Sequence, residues 1–314
     1  MVAIAIGLIL VAGLATLFAN SSQTGNEIDK SIRQIENGRY AAELLTEDIG
    51  VGGYYGELST TGMTYGPAAG CATSVSALGW DNAASTVPVA VTGYSATQAA
   101  ALGCLPNYKA GTMAVAIRHV DTTFVAPGAS TDGSVYIQTS RCSTDPNATR
   151  FIISTTSSDF TLRGLNCTAI NNVQRYVTRI YYVAACNECG IDTTPTLKWA
   201  ELKGNQMVAS PLAEGIEEVA YDYGFDTNGD GTPDNYLTGL SGVAGAQDND
   251  WANVVGIRVH ILSRTTETSP GFVDSKTYDL GLSGTRGPFN DAYKRRAYTV
   301  TTRVNNVAGP REIP

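Results

Sequence analysis

The feature that most constrains this chain is an apolar run that begins at its second residue. Residues 2–19 read VAIAIGLILVAGLATLFA, and the first charged side chain of the sequence is Glu27. About 20 residues, at a rise of about 1.5 Å each, carry a helix across the hydrocarbon core of a bilayer. The run is close to that length, so it predicts a helix that can sit in a membrane.

The residues after the run continue the helix rather than end it. No proline occurs between residues 21 and 52. Apolar side chains recur there at helical intervals, at Ile28, Ile32, Ile35, Leu44, Leu45 and Ile49. We therefore predict a helical unit over residues 1–54, with an apolar half at 2–19 and an amphipathic half at 20–52.

Two ordinary explanations of an N-terminal apolar run fit this sequence less well. A cleaved signal peptide carries a basic leading region and a small-residue cleavage site, whereas only Met1 precedes the run here. An ordinary membrane anchor carries Lys or Arg on its cytoplasmic flank, and none precedes Val2. We therefore expect the sequence to start inside a longer motif.

Composition indicates the character of the chain beyond the helix. Residues 55–314 are rich in aliphatic residues, Tyr, Thr and Gly and poor in Lys, which is typical of a β-rich globular head. The formal net charge of −8 disfavours a nucleic-acid partner, because such proteins neutralise phosphates with clustered Lys and Arg. The predicted fold class is therefore α+β, with a long helix packed on a β-rich, disulfide-stapled head that contains antiparallel sheet.

The six cysteines all lie after the apolar run, at Cys71, Cys104, Cys142, Cys167, Cys186 and Cys189. An even set behind a membrane segment indicates an oxidising compartment and three disulfides, for which we favour sequence neighbours. The C-x-x-C pair at Cys186 and Cys189 could instead be a redox or zinc motif. Because a β-rich run rather than a helix start surrounds it, we favour a structural disulfide that ties a hairpin loop.

Strand patterns recur from Met113 onward. They are MAVAIRHV, SVYIQTS, RFIISTT, VQRYVTRIYYVAA and TLKWAELKG, and we predict from them a meander of antiparallel strands. Residues 56–110 hold many Gly, Ser, Thr and Ala and show little periodicity, which predicts irregular structure held by Cys71 and Cys104. We expect a surface insertion there, within a variable region of about residues 56–172.

An acidic loop comes directly after the segment EGIEEVAYDYGF. It reads DTNGDGTPDNYL, and its oxygen-bearing side chains stand two residues apart before a glycine at the sixth position. Oxygen ligands at that spacing converge on a hard cation when the loop coils tightly, and the glycine permits the turn. We predict a calcium loop with side-chain ligands and one backbone ligand, namely Asp226, Asn228, Asp230, Asp234 and, through its carbonyl, Thr232.

The loop is not a complete EF-hand, because Leu237 occupies the position of the bidentate Glu. The alternative is a polar hairpin loop, in which Asp, Asn and Gly are the ordinary turn formers. If calcium binds, we expect it to rigidify the loop rather than to take part in chemistry.

Enzyme signatures are sparse in this chain. The two histidines, His119 and His260, each lie in an apolar strand pattern, where a structural role is typical. No G-x-S-x-G elbow, H-E-x-x-H helix or P-loop occurs, so we predict no catalytic residue and no enzymatic activity. Asn-x-Thr triplets at Asn147 and Asn166 are weak glycosylation signals, the second of which contains Cys167.

Several of these segments resemble type IV pilins. MVAIAIGLILVAG is similar to the N-terminal apolar segment of pilins and pseudopilins, and IENGRYAAELLTEDIGVGGYYG resembles the next segment of PilW-type minor pilins. EGIEEVAYDYGF with the acidic loop, WANVVGIRVHILSRT, TYDLG and RRAYTVTTRVNN resemble the last part of the same family. The family's leader Gly, first mature residues and Glu do not precede the run, so we expect a start that was placed late or trimmed.

The resemblance implies a structural minor pilin of a type IV pilus that helps to initiate, prime or decorate the filament. It implies an inner-membrane anchor before assembly and an extracellular filament afterwards, with other pilin subunits as partners through the N-terminal helix. Calcium is the expected cofactor. Two alternatives stay open: a membrane-anchored calcium-dependent adhesin or binding module outside any filament and, less favoured, an anchored enzyme that acts on envelope polymers.

Overall fold

One helix dominates the first sixth of the chain in a computed structural model, which describes residues 2–146, 149–241 and 243–312. Helix α1 spans Val2–Val51 without interruption, which confirms the predicted continuous helix. Two short helices occur later, α2 at Ala96–Ala100 and α3 at Asn305–Ala308. Asn147, in the first glycosylation triplet, lies outside the described residues.

The described residues beyond α1 form mostly strands. They are β1 Thr64–Gly66, β2 Thr86–Pro88, β3 Val91–Tyr94, β4 Ala114–Val125, β5 Tyr136–Thr139, β6 Phe151–Ser154, β7 Val173–Ala184, β8 Thr196–Lys203, β9 Gln206–Glu214, β10 Ile216–Phe225, β11 Asn235–Leu237, β12 Val254–Arg264, β13 Tyr278–Asp279, β14 Thr285–Arg286 and β15 Arg295–Arg303. The predicted α+β class is therefore confirmed.

The larger sheet is built around β7. One edge of this strand pairs with β4, while its other edge pairs with β5 at one end and β8 at the other, always antiparallel. Strand β3 continues the sheet beyond β4, β6 beyond β5 and β9 beyond β8. The predicted strands are present, but the predicted simple meander is wrong, because β4 pairs with β7 and not with its sequence neighbour β5.

A second sheet, in the order β11-β10-β12-β15, receives the C-terminal half of α1. Alternate residues of β10 and β12, such as Tyr221 and Val259, point into a core that also holds Leu45 and Ile49 of α1, and all four are fully buried. Ile28 and Ile32 are about half exposed instead. The predicted apolar face is therefore right only for the part of α1 that the sheet covers.

Residues 56–110 contribute to the core. Val87, Val89 and Val91 are fully buried, and β3 joins the larger sheet through β4. The ring of Trp80 contacts Tyr55 edge to face at 5.1 Å between ring centroids. The expected surface insertion is therefore wrong for this segment, in which two short strands, β2 and β3, lie within a loop-like composition.

Helix α1 runs parallel to β15 along the face of the second sheet. Gly38 of the helix lies against Tyr298, where an added Cβ would fall 2.8 Å from the ring carbon Cζ. Further along both elements, the Thr302 hydroxyl donates to the carbonyl of Thr46 over 3.3 Å. The glycine thus permits close approach at the point where the helix crosses an aromatic ring.

Candidate functional site

The first part of α1 extends away from the head. Its described side chains up to Gly25 are exposed, including Leu14 at 67% and Phe18 at 78%. The helix contains an 18-residue stretch that is long and apolar enough to cross a membrane, and none of that stretch is buried within the chain. An apolar surface of this size is stable only when lipid or protein covers it.

Polar contacts fix the point at which α1 meets the head. Glu27 accepts hydrogen bonds from the ammonium group of Lys294 and from the hydroxyl of Ser269, each over 2.6 Å. Two turns on, the amide nitrogen of Gln34 donates to the carbonyls of Ser263 and Lys294 over 3.0 and 2.9 Å. These contacts mark the boundary between the projecting N-terminal part of α1 and the part that packs on the head.

A buried ionic network fastens the other end of α1. The Asp48 carboxylate accepts hydrogen bonds from Arg179 over 2.8 Å and from the Tyr181 hydroxyl over 2.9 Å, and it lies 3.2 Å from His119 Nε2. Arg179 also donates to Glu201 over 2.8 Å. Burial alone raises the pKa of Asp48, but the contacts with His119 and Arg179 outweigh it and hold the pKa below its usual value.

The acidic loop is organised by its first carboxylate. Asp226 is almost fully buried and accepts backbone N–H groups of Gly229 over 2.6 Å and Gly231 over 2.9 Å. Its carboxylate also forms an ion pair with Arg311 over 3.0 Å. Burial raises the pKa of Asp226, but these donors outweigh that effect and lower it. The loop therefore coils around Asp226.

The other predicted oxygen ligands lie in the same loop but point elsewhere. Asp230 accepts the hydroxyl of Thr232 over 2.6 Å and the side-chain amide of Asn228 over 3.1 Å. Asp234 accepts the hydroxyl and the N–H of Thr227, both over 2.7 Å. These donors lower the pKa of both carboxyls, so the two side chains are ionised at neutral pH.

The oxygen-bearing side chains of the loop are of the type that binds a hard cation, but they are not arranged as a preformed binding site. Within the described ranges, no three His, Cys, Asp or Glu side chains stand close enough to hold a metal ion together. The positive charge beside Asp226 is the guanidinium of Arg311. Gly231 does have the left-handed conformation expected of the sixth position, with φ at +82°. The loop in this form is closed by hydrogen bonds and an ion pair.

Three disulfides join the cysteines as sequence neighbours, the pairing that we favoured. Cα–Cα separations are 5.7 Å for Cys71–Cys104, 5.0 Å for Cys142–Cys167 and 5.1 Å for Cys186–Cys189. The last pair lies in the connection between β7 and β8, which are antiparallel neighbours. It therefore ties a hairpin loop, as the surrounding strand pattern indicated.

Both histidines are built into the fold. His260 Nε2 lies 3.0 Å from Asp222, and its Nδ1 lies 3.0 Å from the Thr299 hydroxyl. The acid, imidazole and hydroxyl line resembles a catalytic triad in composition, but Gly281 covers the imidazole and a Cβ there would overlap the ring and lie 2.5 Å from Asp222. The Leu282 N–H also donates to the Asp222 carboxylate over 3.2 Å, so these contacts hold the 281–283 turn on the sheet.

Comparison with known proteins found a similarity in the last part of the chain. Residues 180–306 match a family model described as Type IV Pilus-assembly protein W. The matched region runs from within β7 to the start of α3 and contains the acidic loop and the whole sheet on which α1 packs. A search of curated proteins and a search of solved structures returned no match. The match agrees with the expected family over these residues and supports a PilW-type type IV pilus protein.

Proposed function

We propose that this chain is a structural minor pilin that helps to initiate, prime or decorate a type IV pilus, without catalysing a reaction. The proposal rests on one observation, namely that the apolar segment and the segment that packs on the head belong to the same continuous helix. An uncovered apolar helix continues, without a break, into the helix on which the PilW-type sheet is built. Force or displacement applied to the apolar half is therefore transmitted directly to the head.

The apolar half suits two successive environments. Its length covers a bilayer, which supports anchoring in the inner membrane before assembly. Gly7 and Gly13 leave open space around the backbone, and a neighbouring helix can approach closely there while leucines fill the gaps. The same surface can therefore pass from lipid to the helices of other pilin subunits, and the head then lies on the outside of the filament.

The function is tested by genetic complementation of a host strain that lacks this chain. We expect such a strain to form fewer surface pili by electron microscopy and wild-type protein to restore them. Leu14→Lys should fail to restore them, because a charge at the centre of an apolar span costs about 3 kcal/mol. Ser22→Lys, beyond that span, is the matched control and should complement. Equal piliation with and without the chain would contradict the proposal and favour an anchored adhesin.

We further propose that calcium stabilises the acidic loop by binding the exposed oxygen atoms of Asn228, Asp230 and Asp234. Three exposed oxygen-bearing side chains within seven residues support the proposal. It requires Asp230 and Asp234 to exchange their present hydrogen bonds for the cation. Asp226 has a separate role, because its buried carboxylate already holds the loop and Arg311.

Thermal unfolding in calcium and in chelator tests this second proposal. We expect calcium to raise the melting temperature of the wild type but not of an Asp230→Asn, Asp234→Asn double variant. Asp29→Asn, which removes an exposed charge from α1, is the control and should respond like the wild type. Asp226→Ala should destabilise in both solutions, since the partly buried Arg311 and the N–H groups of Gly229 and Gly231 lose their partner. Equal melting of the wild type in calcium and chelator would show that calcium does not stabilise the loop.

A further inference from the structure

The outer edge of β15 is open along its length. Hydrogen bonds at both ends of the β12–β15 pair, from Thr265 to Lys294 and from Val304 to Val255, join odd residues of β12 to even residues of β15. The register between them is unbroken. Since antiparallel bonds alternate, the odd residues of β15 direct their backbone N–H and C=O groups outward. In the described part of the chain, those groups have no partner at Ala297, Thr299 and Thr301.

This edge lacks proline and bulges, two of the features that usually block strand addition, and its charged side chains, Arg295, Arg296 and Arg303, stand only at its ends. Strand β9 is an equally long edge, but it carries Pro211 and its pairing with β8 shifts register. The edge strands β3, β6 and β11 have only three or four residues each. By contrast, β15 has nine residues, no proline and no bulge. Proteins seldom leave such an edge unprotected unless something pairs with it.

A groove of about 470 Å³ lies beside the open edge, between β15 and α1. Its floor is formed by Ala42 of α1 and by Tyr298 and Val300 of β15. An added strand would place every second side chain over this floor, since side chains alternate between the two faces of a sheet. The groove therefore accommodates apolar side chains at alternate positions of an incoming segment.

The rim of the groove is acidic. Glu43 and Glu47 stand one turn apart on the exposed side of α1, and the described residues supply neither with an ion pair. Like charges at this spacing repel each other. Arg39, one turn earlier, offsets only one of the two charges. A cationic side chain on an incoming strand would relieve the repulsion and set the register.

A second copy of this chain is a poor occupant. Two β15 strands that paired antiparallel would be related by a twofold axis through the sheet. Because α1 runs parallel to β15, the two apolar helix halves would then point in opposite directions, and one membrane or one filament axis could not take both. This exclusion rests on the proposed function, whereas the edge and the groove do not depend on it.

We propose that β15 binds an extended, cationic segment of another protein as an additional strand of the sheet. The outward groups of Ala297, Thr299 and Thr301 pair with the backbone of that segment. Its apolar side chains lie against Tyr298 and Val300, and a Lys or Arg faces the acidic rim. Main-chain bonds supply the affinity of this binding mode, while the pocketed side chains supply its specificity.

The purified full chain in detergent micelles can be titrated with a fluorescent nine-residue peptide. Every second residue of the peptide is valine or lysine, and the others are threonine. We expect it to bind about tenfold more tightly than a matched peptide with glutamate in place of lysine. N-methylation of the peptide residues whose N–H groups face β15 should abolish binding. N-methylation of the intervening residues should not, because their N–H groups point away from β15.

Variants of the chain complete the test. Thr301→Pro removes an outward N–H without breaking a bond to β12, so it should lower affinity about tenfold and keep the fold. Thr301→Val retains the N–H and should bind normally. Glu43→Lys with Glu47→Lys should reverse the preference between the two peptides. Binding that ignores both N-methylation and Thr301→Pro would overturn the proposal. Self-association of the micellar chain that Thr301→Pro abolishes would make a second copy the occupant and overturn the choice of partner.

The outcomes separate this inference from the proposed function. Peptide binding in micelles needs neither a pilus nor a membrane, so it can fail while complementation succeeds, or the reverse. Thr301→Pro can also be introduced into the complementation assay. Loss of piliation by this variant, with unchanged melting temperature, would show that the edge is used during assembly.

Discussion

Gly38 shows how one residue fixes the position of the long helix. Nothing else in the helical pattern marks it, yet its missing Cβ admits the ring of Tyr298. We expect Gly38→Ala to lower the free energy of unfolding by about 1–3 kcal/mol, because overpacking costs more than the gain in helix propensity. Gly50→Ala, where the nearest atom is 3.7 Å away, should be neutral or stabilising. Denaturant unfolding of both variants checks this, and equal effects would contradict it.

Asp48 carries a pH dependence whose direction follows from its environment. Its pKa is lowered in the folded chain, so its contribution to stability is complete above the unfolded pKa of about 4 and fades as pH falls through the folded value. We expect Asp48→Asn to cost about 3 kcal/mol at pH 7, since Arg179 loses a buried partner. The difference from the wild type should shrink as the pH falls below about 4. A difference that stayed constant would show that the carboxylate charge is unimportant.

At the scale of elements, the three disulfides should contribute unequally. Cys71 and Cys104 close a loop of 33 residues, whereas Cys186 and Cys189 are 3 residues apart. The chain-entropy model gives about 4 kcal/mol for the first and about 2 kcal/mol for the second. We expect paired Cys→Ala substitutions to follow that order in denaturant unfolding. The opposite order would indicate that Cys186–Cys189 holds the β7–β8 hairpin by more than loop closure.

Sequence patterns predicted elements better than their pairing. The run after Val2 and the strand pattern around Tyr181 depend on local periodicity, and both elements occur where expected. The pairing of β4 with β7 depends on contacts between residues about 60 apart. Short-range signals do not encode such contacts, and a loop-like composition obscures the short strands that contain Val87 and Val91.

In the candidate sites too, sequence patterns predicted local features better than long-range contacts. Spacing alone placed Asp226 in one acidic loop with Asn228 and Asp230, and the backbone N–H groups that Asp226 accepts come from that same loop. The ion pair with Arg311, 85 residues later, and the close packing of Gly281 on His260 depend on tertiary structure. The open edge of β15 is likewise invisible in the strand pattern, because an edge is defined by the absence of a neighbour.

At the scale of the whole molecule, one continuous helix joins an uncovered apolar half to a head that matches the PilW family model over residues 180–306. The head contacts the helix between Glu27 and Asp48 through ion pairs and through a buried apolar face. The projecting half meets no part of the described head along its apolar stretch. A chain built in this way requires lipid or other helices around that half in every state that it occupies.

The most direct test of the minor-pilin proposal is quantitative mass spectrometry of head peptides from the native host, in sheared filaments and in inner membranes. We expect the peptides in both fractions, with the filament share abolished by Leu14→Lys and retained by Ser22→Lys. Head peptides confined to the membrane while pili are abundant would contradict the proposal and indicate an anchored binding module.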